Sequence, residues 1–276
     1  MPVIAVINRK GGSGKTTLAT HLAGCLANRG LRVMLGDADR QQSAAAWSRR
    51  RATHAPTCAP VVSRTIDLKS LLRPPAGVSH VVIDTPGGLQ GFDLARILMF
   101  ADVVLLPLCN SAFDRESAAA CLADIRRHPR VASGRCKVAA VGMRIDSRTS
   151  GQQRLREWAQ AQGLTFIGVL RETQTYVRCV ERGLSIFDLP ATRVQVDLEQ
   201  WLAVLQWLAP LLDAPPAPQP AHQRPAAPAS TAIAPRVATT HAGPARPLAP
   251  NPSSAGGLRK LLGWLLPLRP TPGVRP

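Results

Sequence analysis

Apolar residues along this chain gather into short unbroken runs separated by longer, partly polar stretches. Val3 to Ile7 is the first run, and Leu31 to Gly36, Val81 to Ile83, Val103 to Leu108, Val138 to Val141 and Thr165 to Val169 follow. Runs this short, apolar at successive positions, predict strands buried on both faces. Between them the period changes. Leu18, Leu22, Cys25 and Leu26, within Thr16 to Arg29, recur at the spacing of one helix face, and Gly30 stops that helix. Segments 93–100, 114–127 and 152–162 have helix length, and a last helix is predicted over 194–212, ended before Pro215 and Pro216. Strands alternating with helices predict an α/β domain over residues 1–213, a mostly parallel central sheet with helices on both faces.

Past residue 213 the pattern stops. Fifteen of the 25 prolines fall in 214–276, and Ala, Pro, Ser and Thr dominate 214–257; that composition predicts a disordered, extended linker rather than a second core. "LRKLLGWLL", residues 258–266, interrupts it. At about 100° per residue, Leu258, Leu261, Leu262, Trp264, Leu265 and Leu266 fill one broad arc and Arg259, Lys260 and Gly263 the rest. This is either a frayed tail of no consequence or a short amphipathic element that docks on a membrane or a partner protein. Residues 267–276 are expected to be a disordered end.

Charge adds a partner class. All 17 acidic residues lie between Asp37 and Asp213, whereas 214–276 carries seven Lys and Arg and no acid. Taking those seven from the net +17 leaves +10 on the folded part. A polyanion, nucleic acid or anionic membrane, is the expected partner. The six cysteines (Cys25, Cys58, Cys109, Cys121, Cys136, Cys179) form no C-x-x-C pair, and no secretory leader is read before Val3. Reduced, mostly core thiols in a cytoplasm are expected. No run of 18 apolar residues occurs, so no bilayer-spanning segment is predicted.

The chemistry begins in "NRKGGSGKTTLA", residues 8–19, between the first strand and the first helix. The common phosphate-binding loop, G-x-x-x-x-G-K-[ST], needs a glycine five residues before Gly14, where this chain has Arg9, with a second lysine, Lys10, beside it. Gly11, Gly12 and Gly14 let backbone N–H groups approach phosphate oxygens at a helix N-terminus. Ser13 and Thr17 belong to the same cradle, Lys15 would reach the β- and γ-phosphates, and the Thr16 hydroxyl would hold Mg²⁺. "GDADRQQS", 36–43, puts Asp37 and Asp39 at the carboxyl end of the second strand, where open α/β sheets bind ligands. One of them can order the Mg²⁺ shell and the other orient an attacking water. "VVIDTPGG", 81–88, is an apolar strand ending in Asp84, a further Mg²⁺ acid, followed by a loop, Thr85 to Gly88, that could sense the γ-phosphate.

Together, K-G-G-x-G-K-[ST]-T at 10–17, D-x-D-x-Q-x-S at 37–43 and h-h-h-D-T-P at 81–86 resemble the deviant Walker A ATPases of the ParA/MinD family. The likeness runs from Met1 to about Leu212 and is closest to small ParA proteins. The resemblance implies a P-loop fold, ATP and Mg²⁺ as cofactors, and slow, partner-stimulated hydrolysis. Lys10 matches the signature lysine that crosses a dimer interface to the other subunit's phosphates. Lys15 matches the P-loop lysine, Asp39 the acid needed for hydrolysis, Asp37 its neighbour and Asp84 the Walker B acid. "LPLCNSAFD", 106–114, resembles the strand end and loop that follow in small ParA proteins. An ATP-bound sandwich homodimer on non-specific DNA, a ParB-like stimulating partner and a cytoplasmic, nucleoid-associated location are implied.

Departures are specific. Arg40 stands where a proline is usual and Gly36 where an apolar residue is common; Met143 replaces an asparagine that often touches adenine, which leaves adenine to backbone near Met143 and Arg144 or near 171–174. Arg154, Arg156 and Arg178 fall where ParA-like proteins put DNA-contacting arginines, with Arg148 and Arg182 behind them, each a phosphate contact without sequence preference. A MinD-like or cellulose-secretion-type ATPase acting at the inner membrane through 258–266 is the runner-up. Nitrogenase iron protein is set aside because Cys109 and Cys136 do not lie in cluster-ligand settings. A scaffold with a dead nucleotide site is opposed by Lys15, Thr16, Asp39 and Asp84 all being present.

Overall fold

A computed structural model describes residues 1–54, 57–67, 73–146 and 149–212. The expected linker, the 258–266 segment, the terminal stretch and Arg148 lie outside the described residues.

Seven strands form one sheet: β1 (Val3–Val6), β2 (Val33–Asp37), β3 (Val62–Thr65), β4 (His80–Asp84), β5 (Val103–Leu108), β6 (Lys137–Ile145) and β7 (Thr165–Arg171). Their order is β3-β2-β4-β1-β5-β6-β7, and every pairing is parallel. The helices are α1 (Lys15–Asn28), α2 (Ser43–Ala52), α3 (Gly91–Phe100), α4 (Ala112–Arg127), the single turn α5 (Pro129–Ala132), α6 (Gly151–Ala161), α7 (Gln174–Glu181) and α8 (Ala191–Leu212). Every residue of β1, β2, β4 and β5 is buried, as expected of strands covered on both faces.

Parallel pairing aligns the strands' carboxyl ends. Val6 stands opposite Asp84, and Asp84 opposite Asp37, so the loop after β1 and two acids share one rim. The chain leaves β1 toward β2 on one side and β5 toward β6 on the other. That reversal opens a crevice at the rim, the place where such sheets take a ligand. On the far side of α1, His21, Tyr176 and Trp201 form an aromatic cluster, with ring centroids 5.0 and 6.4 Å from His21, and Trp201 Nε1 donates to the Tyr176 hydroxyl at 3.1 Å. It anchors α7 and α8 to the helix that begins at the glycine loop.

Three elements go beyond the periodicity. β3 is an edge strand, V-S-R-T, with three exposed positions and one half-buried, so it has no apolar run to announce it. α2 is SAAAWSRRRA, and its buried residues, Ala44, Ala45, Trp47, Ser48 and Arg51, include one large apolar side chain and so show no apolar period. α7 is only eight residues long. The expected last helix starts earlier, at Ala191, and departs from helical geometry at Val194, where φ is −132°, the residue at which the sequence placed its start. All six cysteines are free thiols, and Cys25, Cys121, Cys136 and Cys179 are buried.

Candidate active site

The loop between β1 and α1 is built by its glycines and tied on both sides. Gly14 caps α1 with φ +90° and ψ 16°, a left-handed conformation that leaves the first N–H groups of the helix pointing outward, without a side-chain cap. A Cβ there would lie 2.9 Å from the Met143 methyl carbon. Asn8, buried, donates to the Pro107 carbonyl on β5 at 2.7 Å and accepts the Lys10 N–H at 3.0 Å. The loop after β4 closes on it from the other side, Gly88 N–H donating to the Arg9 carbonyl at 2.6 Å.

The two lysines point different ways. Lys15 is buried, and its ammonium donates to the Lys10 carbonyl at 3.0 Å. Burial pushes its pKa down, against the pull of Asp84 and Asp39 upward. Lys10 instead reaches out of the loop to Asp114 on α4, Nζ to Oδ1 at 2.5 Å.

The acids also differ. Asp84 is fully buried at the end of β4. The Thr16 hydroxyl donates to its Oδ2 at 2.7 Å, while its buried Oδ1 has no hydrogen-bond partner. Burial raises its pKa to about 7, with the Thr16 hydrogen bond opposing. A buried carboxylate oxygen without a donor, beside a threonine hydroxyl, is a donor set that a hard divalent cation satisfies. Asp37 is equally buried, but Ala45 N–H donates to Oδ2 at 2.8 Å and Asp39 N–H to Oδ1 at 3.0 Å. Both oxygens are engaged by backbone, so Asp37 holds the start of α2 and the Asp39 loop. Asp39 lines the crevice and accepts the Gln41 N–H at 2.9 Å.

That crevice has a volume of about 1020 Å³ and joins all three motifs. Gly11, Gly12, Gly14, Lys15, Thr16 and Thr17 form its floor, with the Asp39–Gln41 and Pro86–Gln90 loops as walls. Arg40, in the usual proline position, is on the wall. Gly36 has a local reason: a Cβ there would lie 2.3 Å from the Ile66 Cδ1, and Ile66 forms part of the lining. Met143 and Arg144 divide. A register irregularity in β6 gives Arg144 φ +55°, uncommon for a side chain of that size, and turns it to the crevice. Met143 is buried against Gly14 and does not line the crevice, whereas Arg144 does. Arg144 was expected at the site only through its backbone, and Asp114 had no local signal of a site role. Only the S-x-x-D spacing at Ser111 to Asp114 marks a helix start.

The arginines expected to touch DNA are exposed but not one patch. Arg154 and Arg156 lie two apart on α6, about 200° around the helix. Arg154 donates to Ser150 Oγ at 2.7 Å, while Arg156 lies over the Phe166 ring of β7 at 5.8 Å. Arg178 is exposed on α7 and Arg182 just beyond it.

Residues 4–186 match the CobQ/CobB/MinD/ParA nucleotide binding domain. Maintenance of carboxysome distribution protein A of Gloeobacter kilaueensis is 35% identical over 192 residues, 67% of this chain and 84% of that protein. The protein of the same name from Halothiobacillus neapolitanus is 27% identical over 191 residues, 68% of this chain and 88% of that one. In fold, the MinC:MinD cell division protein complex of Aquifex aeolicus aligns with TM-score 0.56 at 17% identity, over 79% of this chain and 99% of that one. The ATP complex of a Cyanothece McdA variant aligns with TM-score 0.56 at 16% identity, over 74% and 96%. The domain match spans the glycine loop and both acid motifs, and the chain therefore belongs to the ParA/MinD family of P-loop ATPases.

Proposed function

We propose that this chain is a Mg²⁺-dependent, ParA-like ATPase that closes into a homodimer on ATP, binds DNA without sequence preference and positions a cargo. The observation that carries the reading is the divergence of the two lysines: Lys15 turns into its own crevice, whereas Lys10 leaves it. A phosphate-loop lysine directed away from its own site is available to a second chain.

The residues divide the work. Backbone N–H groups of Gly11 to Thr17 cradle the phosphates, and Lys15 offsets charge on the transferring group. Thr16 and the free Oδ1 of Asp84 would hold Mg²⁺, which would neutralise charge on the phosphate oxygens. Asp39 orients the attacking water, and Asp37 fixes the loop that carries it. Arg144 faces the base or ribose. Lys10 of each chain completes the other's site, so that nucleotide state reports dimer state. Phe92 and Phe113, 73% and 75% exposed beside the crevice loop and beside Asp114, are apolar surface that a second chain would cover. The name of the Gloeobacter relative favours a cargo-distributing role. Among the described residues no helix is long and apolar enough to cross a membrane.

The test is co-sedimentation of the full chain, with ATP or ADP, against plasmid DNA and against anionic liposomes. ATP-dependent retention on DNA is expected, its salt slope reduced by about one for each of Arg154, Arg156 and Arg178 changed to Ala. Liposome binding lost on deleting 258–266, with no DNA retention, would instead establish the membrane reading. No ATP hydrolysis even with DNA and a stimulating partner would defeat both.

A further inference from the structure

The backbone at position 40 asks little of its residue. Gln42 N–H donates to the Asp39 carbonyl at 3.0 Å, so residues 39–42 make a hydrogen-bonded turn, and the Asp39 carboxylate accepts the Gln41 N–H at 2.9 Å. Residue 40 is the second position of that turn, where proline fits because its φ is preset and no N–H is needed. An arginine there keeps the turn and adds a guanidinium. That side chain is exposed on the crevice wall, and among the described residues it has no hydrogen-bond, ion-pair or ring partner. Nothing in the packing of the domain requires it.

Its place in the sheet fixes what it faces. Arg40 follows β2 and Arg144 lies near the end of β6, and both line the crevice. β2 and β6 are each two strands from β1, on opposite sides. With neighbouring strands about 4.8 Å apart, the two arginines' strands lie roughly 19 Å from each other across the glycine loop. Asp84 ends β4 and Asp39 follows β2, so the Mg²⁺ acid and the water-orienting acid are on the Arg40 side. The terminal phosphate therefore belongs to the end that holds Arg40, and the nucleoside to the end that holds Arg144. Charge agrees with this. Lys15, Arg40 and Arg144 share the lining with Asp39, Asp67 and Asp93; without Arg40, two cations and three carboxylates would meet a polyanionic ligand.

We propose that Arg40 contacts the γ-phosphate of the nucleotide in its own chain's crevice and makes the site prefer ATP to ADP. The proposal rests on the ATPase reading above. A guanidinium offers paired N–H donors that match two phosphate oxygens, and one seated beside Asp39 offsets charge on the group that the water attacks. ADP lacks that phosphate, so the contact discriminates. A hydrogen bond to a charged group contributes about 10- to 150-fold, and an exposed, flexible side chain puts this one at the low end, about tenfold.

Calorimetry of the full chain with Mg²⁺ tests this, comparing a non-hydrolysable ATP analogue with ADP in Arg40, Arg40→Gln, Arg40→Lys and Arg40→Pro chains. Each also carries Lys10→Ala, so that a lysine from a second chain does not enter the affinities. Arg40→Gln and Arg40→Pro should each bind the analogue about tenfold more weakly and keep ADP within about twofold, and the nucleotide-free melting point of Arg40→Gln should not change. Arg40→Lys, which keeps the charge but not the fork, should fall between. An unchanged ratio of the two affinities in Arg40→Gln, equal weakening of both nucleotides, or a loss confined to Arg40→Pro overturns the contact. Lys15→Ala in the same background separates the two readings. Weakened binding of both nucleotides there, beside an unchanged ratio in Arg40→Gln, defeats the Arg40 contact alone. A Lys15→Ala chain that binds as its parent does, or a parent that binds neither nucleotide, defeats the ATPase reading as well.

Discussion

Removing the Arg51 side chain should unfold this domain more readily than any surface change, and with a signature in pH. Arg51, in the last turn of α2, and Asp188, in the 3₁₀ turn before α8, are 2% and 4% exposed. Nη1 and Nη2 of Arg51 reach Oδ2 and Oδ1 of Asp188 at 2.7 and 2.9 Å, and Nε donates to the Ala59 carbonyl at 2.8 Å. Asp188 also accepts from Asn28 at the end of α1 at 2.9 Å and from Ser185. The pair thus joins α2, which starts beside Asp39, to the helix that starts at Lys15. Arg51→Met leaves a buried carboxylate without its cation, a change that costs about 3–5 kcal/mol. For a domain of this size that is a fall of about 6–20 °C in melting midpoint. The sign of the pH effect follows. Burial would raise the Asp188 pKa, but Arg51, then Ser185 and Asn28, hold it low. A depressed carboxyl contributes stability that is full above its unfolded pKa, about 4, and is lost as pH falls through the depressed value. In Arg51→Met burial dominates and the contribution reverses: stability should rise as pH falls from 7 toward about 4. Urea unfolding at pH 7.5 and 5 measures both. A loss below about 1 kcal/mol, typical of a surface ion pair, with the wild-type pH dependence retained, would refute the reasoning.

Two further outcomes are expected. Lys15→Ala should weaken ATP binding by calorimetry about 10- to 150-fold, as the loss of a charged hydrogen-bonding group does. The nucleotide-free melting point should not fall, because burial already disfavours the Lys15 ammonium. Gly14→Ala should cost about 1–2 kcal/mol for the left-handed backbone alone. The Met143 methyl that a Cβ would meet is the far end of a flexible chain and can move, so adding Met143→Ala should not restore stability in urea; a full rescue would place the strain in the contact rather than the backbone.

The fold was legible where residues announce their surroundings locally. Strands β1, β4 and β5 are buried on both faces, so their runs are apolar throughout, and Gly14, Lys15 and Thr16 lie in one stretch whose spacing alone fixes strand, loop and helix. β3 was illegible because it contributes backbone hydrogen bonds to an edge rather than side chains to a core. At the site, residue type gave the chemistry but not its division. Asp37 and Asp39 read as equivalent carboxylates in D-A-D; two backbone N–H groups, one of them from α2, occupy the first and leave the second at the crevice wall. Met143 and Arg144 are neighbours in one strand, and a register irregularity sends one under Gly14 and the other to the crevice.

The same division bears on Lys10. Its position in the loop says only that a cation replaces backbone flexibility; what the cation meets depends on where α4 starts, and that start is fixed by Ser111 and Asp114. A lysine with no local carboxylate would be free to fold back over its own crevice beside Lys15, and the two ammoniums would compete for one set of phosphates. Because Asp114 lies on the other side, the loop keeps one lysine inward and one outward before any nucleotide arrives. The loop after β4 is tied to the same place, through Gly88 and the Arg9 carbonyl. A shift in that loop would therefore act on the backbone adjoining Lys10.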